Sequence, residues 1–109
     1  MEAILFVNER CLIPTEEQSM AVCALREELG LIPAILNPWQ LYTYYTNFHA
    51  LLFDLKKHSK QVPFLIVYSE ECAKDFIKTY PARWLLLKSF FNQVIFLDSA
   101  ATNLPIQPF

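Results

Sequence analysis

Four short apolar runs, separated by longer amphipathic stretches, constrain the fold of this chain more than any other feature. The runs cover residues 3–7, 31–36, 63–68 and 94–97. A run that is apolar on both faces suits a strand covered by helices on each side, and a strand–helix–strand succession favours right-handed crossovers. We therefore predict an α/β fold in three layers, α/β/α, with a four-stranded, mostly parallel sheet.

The strand order follows from one proline and from the most apolar runs. Pro33 lies within the second run, and because a proline donates no hydrogen bond, this strand belongs at an edge. Runs 3–7 and 63–68 belong in the centre. The element order β-α-β-α-β-α-β with strand order 2-1-3-4 satisfies both conditions. We expect one α/β domain over residues 1–98 and an extended C-terminal tail over residues 99–109.

Local signals predict where the helices begin and end. Thr15 followed by Gln18 fits a capping box at the start of the first helix. Gly30, the only glycine, fits a left-handed C-terminal cap. An Asn-Pro pair at 37–38 repeats the start signal and predicts a second helix over residues 39–57. A third helical region, interrupted by a proline, follows the third run.

Composition excludes several classes of function. A single glycine cannot supply a P-loop or a dinucleotide-binding fingerprint. Nine Lys and Arg against eleven Asp and Glu give a net charge of −2, which argues against a nucleic-acid or membrane surface. No run approaches the roughly 20 apolar residues that cross a bilayer, and the first residues lack the basic region of a signal peptide. We expect a cytoplasmic protein without a membrane partner.

The cysteines and histidines show no spacing typical of a metal site. Cys11, Cys23 and Cys72 are odd in number and lack a C-x-x-C pair, so we predict reduced thiols rather than a disulfide framework. A free cysteine commonly acts as a small hydrophobe, and buried or incidental thiols are the stronger interpretation. The two histidines form no zinc-binding pair. We expect no metal and no cofactor.

Polar side chains follow the predicted strands at their carboxyl ends, where open parallel sheets bind ligands. Converging carboxylates at such an edge suit a divalent cation or an acid–base pair. One alternative function is therefore a small enzyme or a ligand- or metal-binding domain, although helix capping also explains part of this set. The candidate residues are Glu9, Arg10, Cys11, Ser69 and Asp98.

Residues 3–9 (AILFVNE) resemble the start of response-regulator receiver domains, in which an acidic pair follows a hydrophobic strand. The resemblance extends over residues 1–30. Asn8 stands in place of one acid, and Tyr68-Ser69 stands where the phosphoaccepting aspartate would end the third strand. A fifth strand with its lysine does not follow. The resemblance implies a degenerate receiver-like signalling domain that binds partners without being phosphorylated.

The predicted helices carry more apolar side chains than one sheet-facing side requires. Six of the eight residues from 84 to 91 are apolar, and one helix cannot turn all of them toward a four-stranded sheet. Exposed apolar patches commonly mark interfaces, although the tail is an alternative cover. Our leading hypothesis is a non-enzymatic protein-interaction module that forms a homodimer or larger homo-oligomer. The interface candidates are Trp84, Leu85, Phe90 and Phe91, followed by Tyr42 and Phe53.

Overall fold

A computed structural model describes residues 1–97 of the chain. Asp98 and the predicted tail over residues 99–109 lie outside the described residues. The strands are β1 (Glu2–Phe6), β2 (Ile32–Pro33), β3 (Tyr44–Tyr45), β4 (Val62–Val67) and β5 (Phe91–Phe96). The helices are α1 (Thr15–Glu28), α2 (Phe48–His58), α3 (Lys74–Thr79) and α4 (Pro81–Lys88), and a 3₁₀-helix at Glu70–Cys72 precedes α3.

The strands form one parallel sheet in the order β2-β1-β4-β5. β4 and β5 are the third and fourth predicted strands, so the predicted order 2-1-3-4 is confirmed. β1 and β4 are central, with Ala3 opposite Phe64 and Phe6 opposite Val67. Pro33 lies on edge strand β2 as expected, because a missing N–H is tolerated there.

Alternating side chains of β1 build a core on each face of the sheet. Leu5 packs with Val22 of α1 on one face. Ile4 and Phe6 point to the other face and join the core that α2, α3 and α4 cover. There Phe6 stacks on Phe48 of α2, with ring centroids 3.7 Å apart. The result is the predicted three-layer α/β/α arrangement, with one helix against one face and three against the other.

The predicted start of the second helix is wrong. α2 begins at Phe48 rather than at residue 39. The side-chain oxygen of Asn47 accepts hydrogen bonds from the backbone N–H groups of His49 at 2.8 Å and Ala50 at 3.2 Å. Asn47 is therefore the N-cap, because it satisfies amides that the first helical turn leaves without partners.

The segment before α2 contains a short strand that we did not predict. β3 pairs in parallel with β1, with Tyr45 opposite Phe6. Aromatic residues favour strands, and this pairing withdraws residues 44–45 from the predicted helix. Asn37 caps only a turn, where its side-chain oxygen accepts from the backbone N–H of Trp39 at 2.9 Å.

The C-terminal end of α1 confirms the role predicted for the only glycine. Gly30 has a φ of +67°, in the left-handed region. The backbone N–H of Gly30 donates to the carbonyl of Glu27, and that of Leu31 donates to the carbonyl of Arg26 at 2.9 Å. These two bonds satisfy carbonyls that the last turn would otherwise leave free.

The predicted capping box at the start of α1 does not form. Pro14 occupies the N-cap position, and no side chain there caps the helix. Gln18, the expected partner of Thr15, is fully buried and turned toward the end of β1. No helix within residues 1–97 is long and apolar enough to cross a membrane.

Candidate functional site

A cleft opens at the carboxyl end of the sheet, between the exits of β1 and β4. The chain leaves β1 toward β2 on one side and leaves β4 toward β5 on the other. Such a reversal is where open α/β sheets bind ligands. The cleft has a volume of about 350 Å³. Residues from the β1 exit, α2, the 3₁₀-helix and α3 line it, among them Asn8, Glu9, Arg10, His49, Cys72 and Asp75.

Four of the five predicted strand-end residues lie at this edge of the sheet. Glu9 and Arg10 are exposed and line the cleft. Cys11 is half-buried and Ser69 is buried. Asp98 lies outside the described residues. Glu9 and Arg10 therefore present one charge of each sign to the cleft, whereas Cys11 and Ser69 belong to a less accessible cluster.

Two thiols meet in that cluster. The Sγ atom of Cys11 lies 3.2 Å from the Sγ atom of Cys72, although 61 positions separate the two residues in sequence. Ser69 Oγ lies 3.7 Å from Cys72 Sγ. The thiols meet because β1 and β4 are adjacent and each cysteine follows the carboxyl end of one of them. Our interpretation of the cysteines as incidental overlooked this pair, since nothing in their spacing indicates it.

The buried amide of Gln18 joins the cluster to the end of β1. Its Nε2 donates to the carbonyl oxygens of Asn8 and Ile13, each at 2.8 Å, and its Oε1 accepts from the backbone N–H of Asn8 at 2.8 Å. The same amide lies 3.3 Å from both Cys11 Sγ and Cys72 Sγ. Sequence reasoning missed this role because a glutamine three residues after a threonine also fits a capping box.

Asn8 holds the segment after β4 against the end of β1. Its Nδ2 donates to the carbonyl oxygen of Cys72 at 2.7 Å, and its Oδ1 accepts from the backbone N–H of Arg10 at 2.8 Å. A receiver domain would have an acid in place of Asn8, whereas an amide can donate and accept at once. Within residues 1–97, no three His, Cys, Asp or Glu side chains are grouped so that they could hold a metal ion.

The surroundings of the cluster keep one thiol protonated. Burial, reinforced by the hydrogen bond with Cys11, raises the pKa of the Cys72 thiol to about 11. Cys72 is therefore protonated at neutral pH, and a protonated thiol is a weak nucleophile. The buried thiol therefore lacks the lowered pKa that thiol enzymes use.

The predicted interface residues do not share one surface. Trp84 and Phe91 are only 7% and 6% exposed, which corrects the expectation that they form an exposed patch. Trp84 packs edge-on against Phe48, with ring centroids 5.7 Å apart. Phe90 is half-buried against the same core. The reason is that α2, α3 and α4 together cover this face, so α4 can turn its larger side chains inward.

The other three predicted interface residues are exposed at separate places. Leu85 is 64% exposed on the outer side of α4, and Phe53 is 66% exposed on α2. Tyr42 stacks on Tyr44, with centroids 4.9 Å apart, and lines a different hollow beside α2.

Phe53 lies in a groove between α2 and α4, which we call the α2–α4 groove. Leu86, also exposed, follows Arg83 by three residues and therefore lies on the same side of α4. Among the described residues no carboxylate lines the groove, and its full charges are cationic. The lining residues are His49, Leu52, Phe53, Lys56, Lys57 and Arg83.

The outer face of α1 has the opposite charge. Met20, which is 66% exposed, and Ala24 lie at its centre. Four exposed glutamates surround them: Glu16, Glu17, Glu27 and Glu28. Of these, Glu27 pairs with Arg26 at 3.6 Å, and Glu17 accepts a hydrogen bond from Tyr68 at 2.8 Å. We call this surface the α1 outer face.

No protein-family model, curated protein or solved structure matches the chain. The choice between functions therefore depends on the cleft, the thiol cluster and the two charged apolar surfaces.

Proposed function

We propose that this protein is a self-associating interaction module in which the α1 outer face of one copy binds the α2–α4 groove of the next. The observation that supports this function is the opposite charge of two exposed apolar surfaces. Lysines and an arginine surround Phe53, and glutamates surround Met20. Each surface is apolar at its centre and charged at its rim, as interfaces commonly are.

Charge decides between two ways of pairing the copies. A two-fold contact between two α2–α4 grooves would bring Lys56, Lys57 and Arg83 of both copies together, and juxtaposed like charges are unfavourable. A contact between different surfaces pairs the cations with glutamates instead. The association is therefore heterologous, with a different surface used on each copy.

The two surfaces lie on opposite sides of the sheet, because α1 covers one face and α2 and α4 cover the other. A heterologous contact between opposite sides continues from copy to copy, as a ring or as an open chain. A stable contact needs roughly 800 Å² per partner. α1, with 14 residues, offers a docking face of about 21 Å in length.

The test is the mass in solution by light scattering, across a dilution series at low and high salt. The groove variant Lys56→Glu/Lys57→Glu and the α1 variant Glu16→Lys/Glu27→Lys should each be monomeric. An equimolar mixture should assemble, since each variant then meets a surface of opposite charge. A wild-type protein that stays monomeric at every concentration, or a mixture that stays monomeric, overturns the proposal.

Matched apolar variants locate the contact. Phe53→Ser should weaken the assembly, whereas Leu85→Ser, equally exposed but on the outer side of α4, should leave it intact. Leu12→Ser is a further control, because Leu12 is 95% exposed and belongs to neither surface. Loss of assembly in Leu85→Ser alone would assign the contact to the outer side of α4 instead.

A second candidate function is the binding of a small polar ligand in the strand-end cleft. The observation that favours it is the position of the cleft at the β1–β4 reversal, with Glu9 and Arg10 of opposite charge at its wall. A panel of small acids and amino acids should then raise the melting temperature of the wild type and not of Arg10→Ala. If no compound distinguishes the two proteins, this candidate fails.

A further inference from the structure

We propose that Cys11 and Cys72 form a reversible disulfide, which makes the cluster at the carboxyl end of the sheet a site of oxidative modification. The first support is distance. The two Sγ atoms are 3.2 Å apart without a bond, and a disulfide requires about 2.05 Å, so closure needs a shift of about 1 Å. The inference is independent of the proposed self-association.

The second support is the way in which the two cysteines are held. Asn8 anchors the carbonyl of Cys72 at 2.7 Å, and Gln18 contacts both sulfur atoms at 3.3 Å. Gln18 is itself fully buried and bonded to the backbone on both sides of Cys11 through Asn8 and Ile13. Cys11 lies in the loop between β1 and α1, and these hydrogen bonds hold that loop against the segment after β4, which fixes the contact between the two thiols.

The unequal access of the two thiols assigns them different steps. Cys11 is half-buried and reachable from solvent, whereas Cys72 is 1% exposed. The thiolate of Cys11 attacks one sulfur of a low-molecular-weight disulfide and expels one thiolate. Cys72 then releases its proton to solvent and attacks Cys11 Sγ, and the second thiolate leaves. In total, two protein thiols are oxidised and one small disulfide is reduced to two thiols.

Closing this bond has a large effect on the unfolded chain. It joins residues 61 positions apart and so removes many conformations from the unfolded ensemble. The oxidised protein should melt on the order of 10 °C or more above the reduced protein. Cys23 takes no part, because it packs with the separate core under α1.

The test exposes the full-length protein to glutathione disulfide and measures intact mass, free thiols, peptide links and melting temperature. The wild type and the matched control Cys23→Ser should each lose 2 Da and two free thiols, and a thiol reductant should reverse the change. Cys72→Ser should stop at a glutathione adduct on Cys11. Cys72→Ala serves the same purpose if the serine variant does not fold.

Two results would overturn the inference. One is wild-type protein that retains three free thiols after oxidation. The other is a disulfide that involves Cys23 or joins two chains, because neither link uses the contact between Cys11 and Cys72. A Cys11–Cys72 link that forms within one chain and raises the melting temperature supports it.

Discussion

Replacing Gln18 by alanine tests whether one buried amide holds the end of β1. The substitution leaves three backbone groups without their partners: the N–H and carbonyl of Asn8 and the carbonyl of Ile13. At about 1 kcal/mol for each unpaired group, with a further contribution from the cavity, the free energy of unfolding should fall by about 4 kcal/mol. That is a large fraction of the roughly 5–15 kcal/mol that stabilise a domain.

Urea unfolding followed by circular dichroism measures this loss. The slope of the unfolding free energy against urea concentration should be the same in both proteins, which checks that they unfold alike. Gln18→Glu keeps the size of the side chain but removes the donor that faces two carbonyls, so its loss should be at least as large. Ser19→Ala, on the same helix, should cost less than about 0.5 kcal/mol.

Hydrogen exchange supplies a second readout, because the backbone N–H of Asn8 donates to Gln18. In Gln18→Ala this amide should exchange much faster than in the wild type, while amides in the centre of β4 should respond only to the lower global stability. A loss below about 1 kcal/mol, or an Asn8 amide that remains protected, would contradict the role assigned to Gln18.

Three further predictions concern helix ends and one thiol. Asn47→Ala should lower the unfolding free energy by about 1 kcal/mol, and Asn37→Ala should change it by less than about 0.5 kcal/mol, because only Asn47 caps a helix. Ser59 has a φ of 50°, so Ser59→Gly should raise the unfolding free energy by about 1 kcal/mol. Gly30→Ala should lower the unfolding free energy by a similar amount. The added Cβ would meet no atom within 4 Å, so the substitution introduces only backbone strain. Both pairs are measured by urea unfolding. The folded pKa of Cys72, about 11, exceeds its ordinary value of 9.0, so its contribution to stability is present below pH 9 and is lost toward pH 11. Unfolding measured across that range should therefore be less pH-dependent in Cys72→Ala, and equal curves would contradict the assignment.

Features that depend on neighbouring residues could be predicted from the sequence. The apolar runs predicted the parallel sheet and its order, because a strand that is buried on both faces consists almost entirely of apolar residues. Gly30 was also predictable, since a left-handed helix end strongly prefers glycine. The predicted start signal was Asn37 followed by a proline, whereas the helix begins after Asn47, because β3 pairs with β1 and occupies the intervening residues.

Features that depend on which strands are adjacent could not be predicted in the same way. Cys11 meets Cys72, and Gln18 contacts both, only because β1 and β4 lie side by side. Trp84 is buried because α2, α3 and α4 share one face of the sheet. From the sequence we considered a single helix packed on the sheet and therefore expected Trp84 to be exposed. The opposite charges of the two helix surfaces can be read from the sequence. Their use as a pair of complementary surfaces could be inferred only from the structure, which places α1 and α2 on opposite faces of the sheet.

The adjacency of β1 and β4 also sets the order in which the chain acquires its structure. Phe6 pairs opposite Val67, so the central pair of strands cannot close until the chain has been made through residue 67. Bringing such distant segments together costs loop entropy before any contact is gained, which slows folding. β5 joins β4 through a connection that contains α3 and α4, and this connection is still much shorter than the one between β1 and β4. During synthesis, β1 and α1 are therefore made before their central neighbour β4, and we expect the pairing of β1 with β4 to be the slowest step of folding.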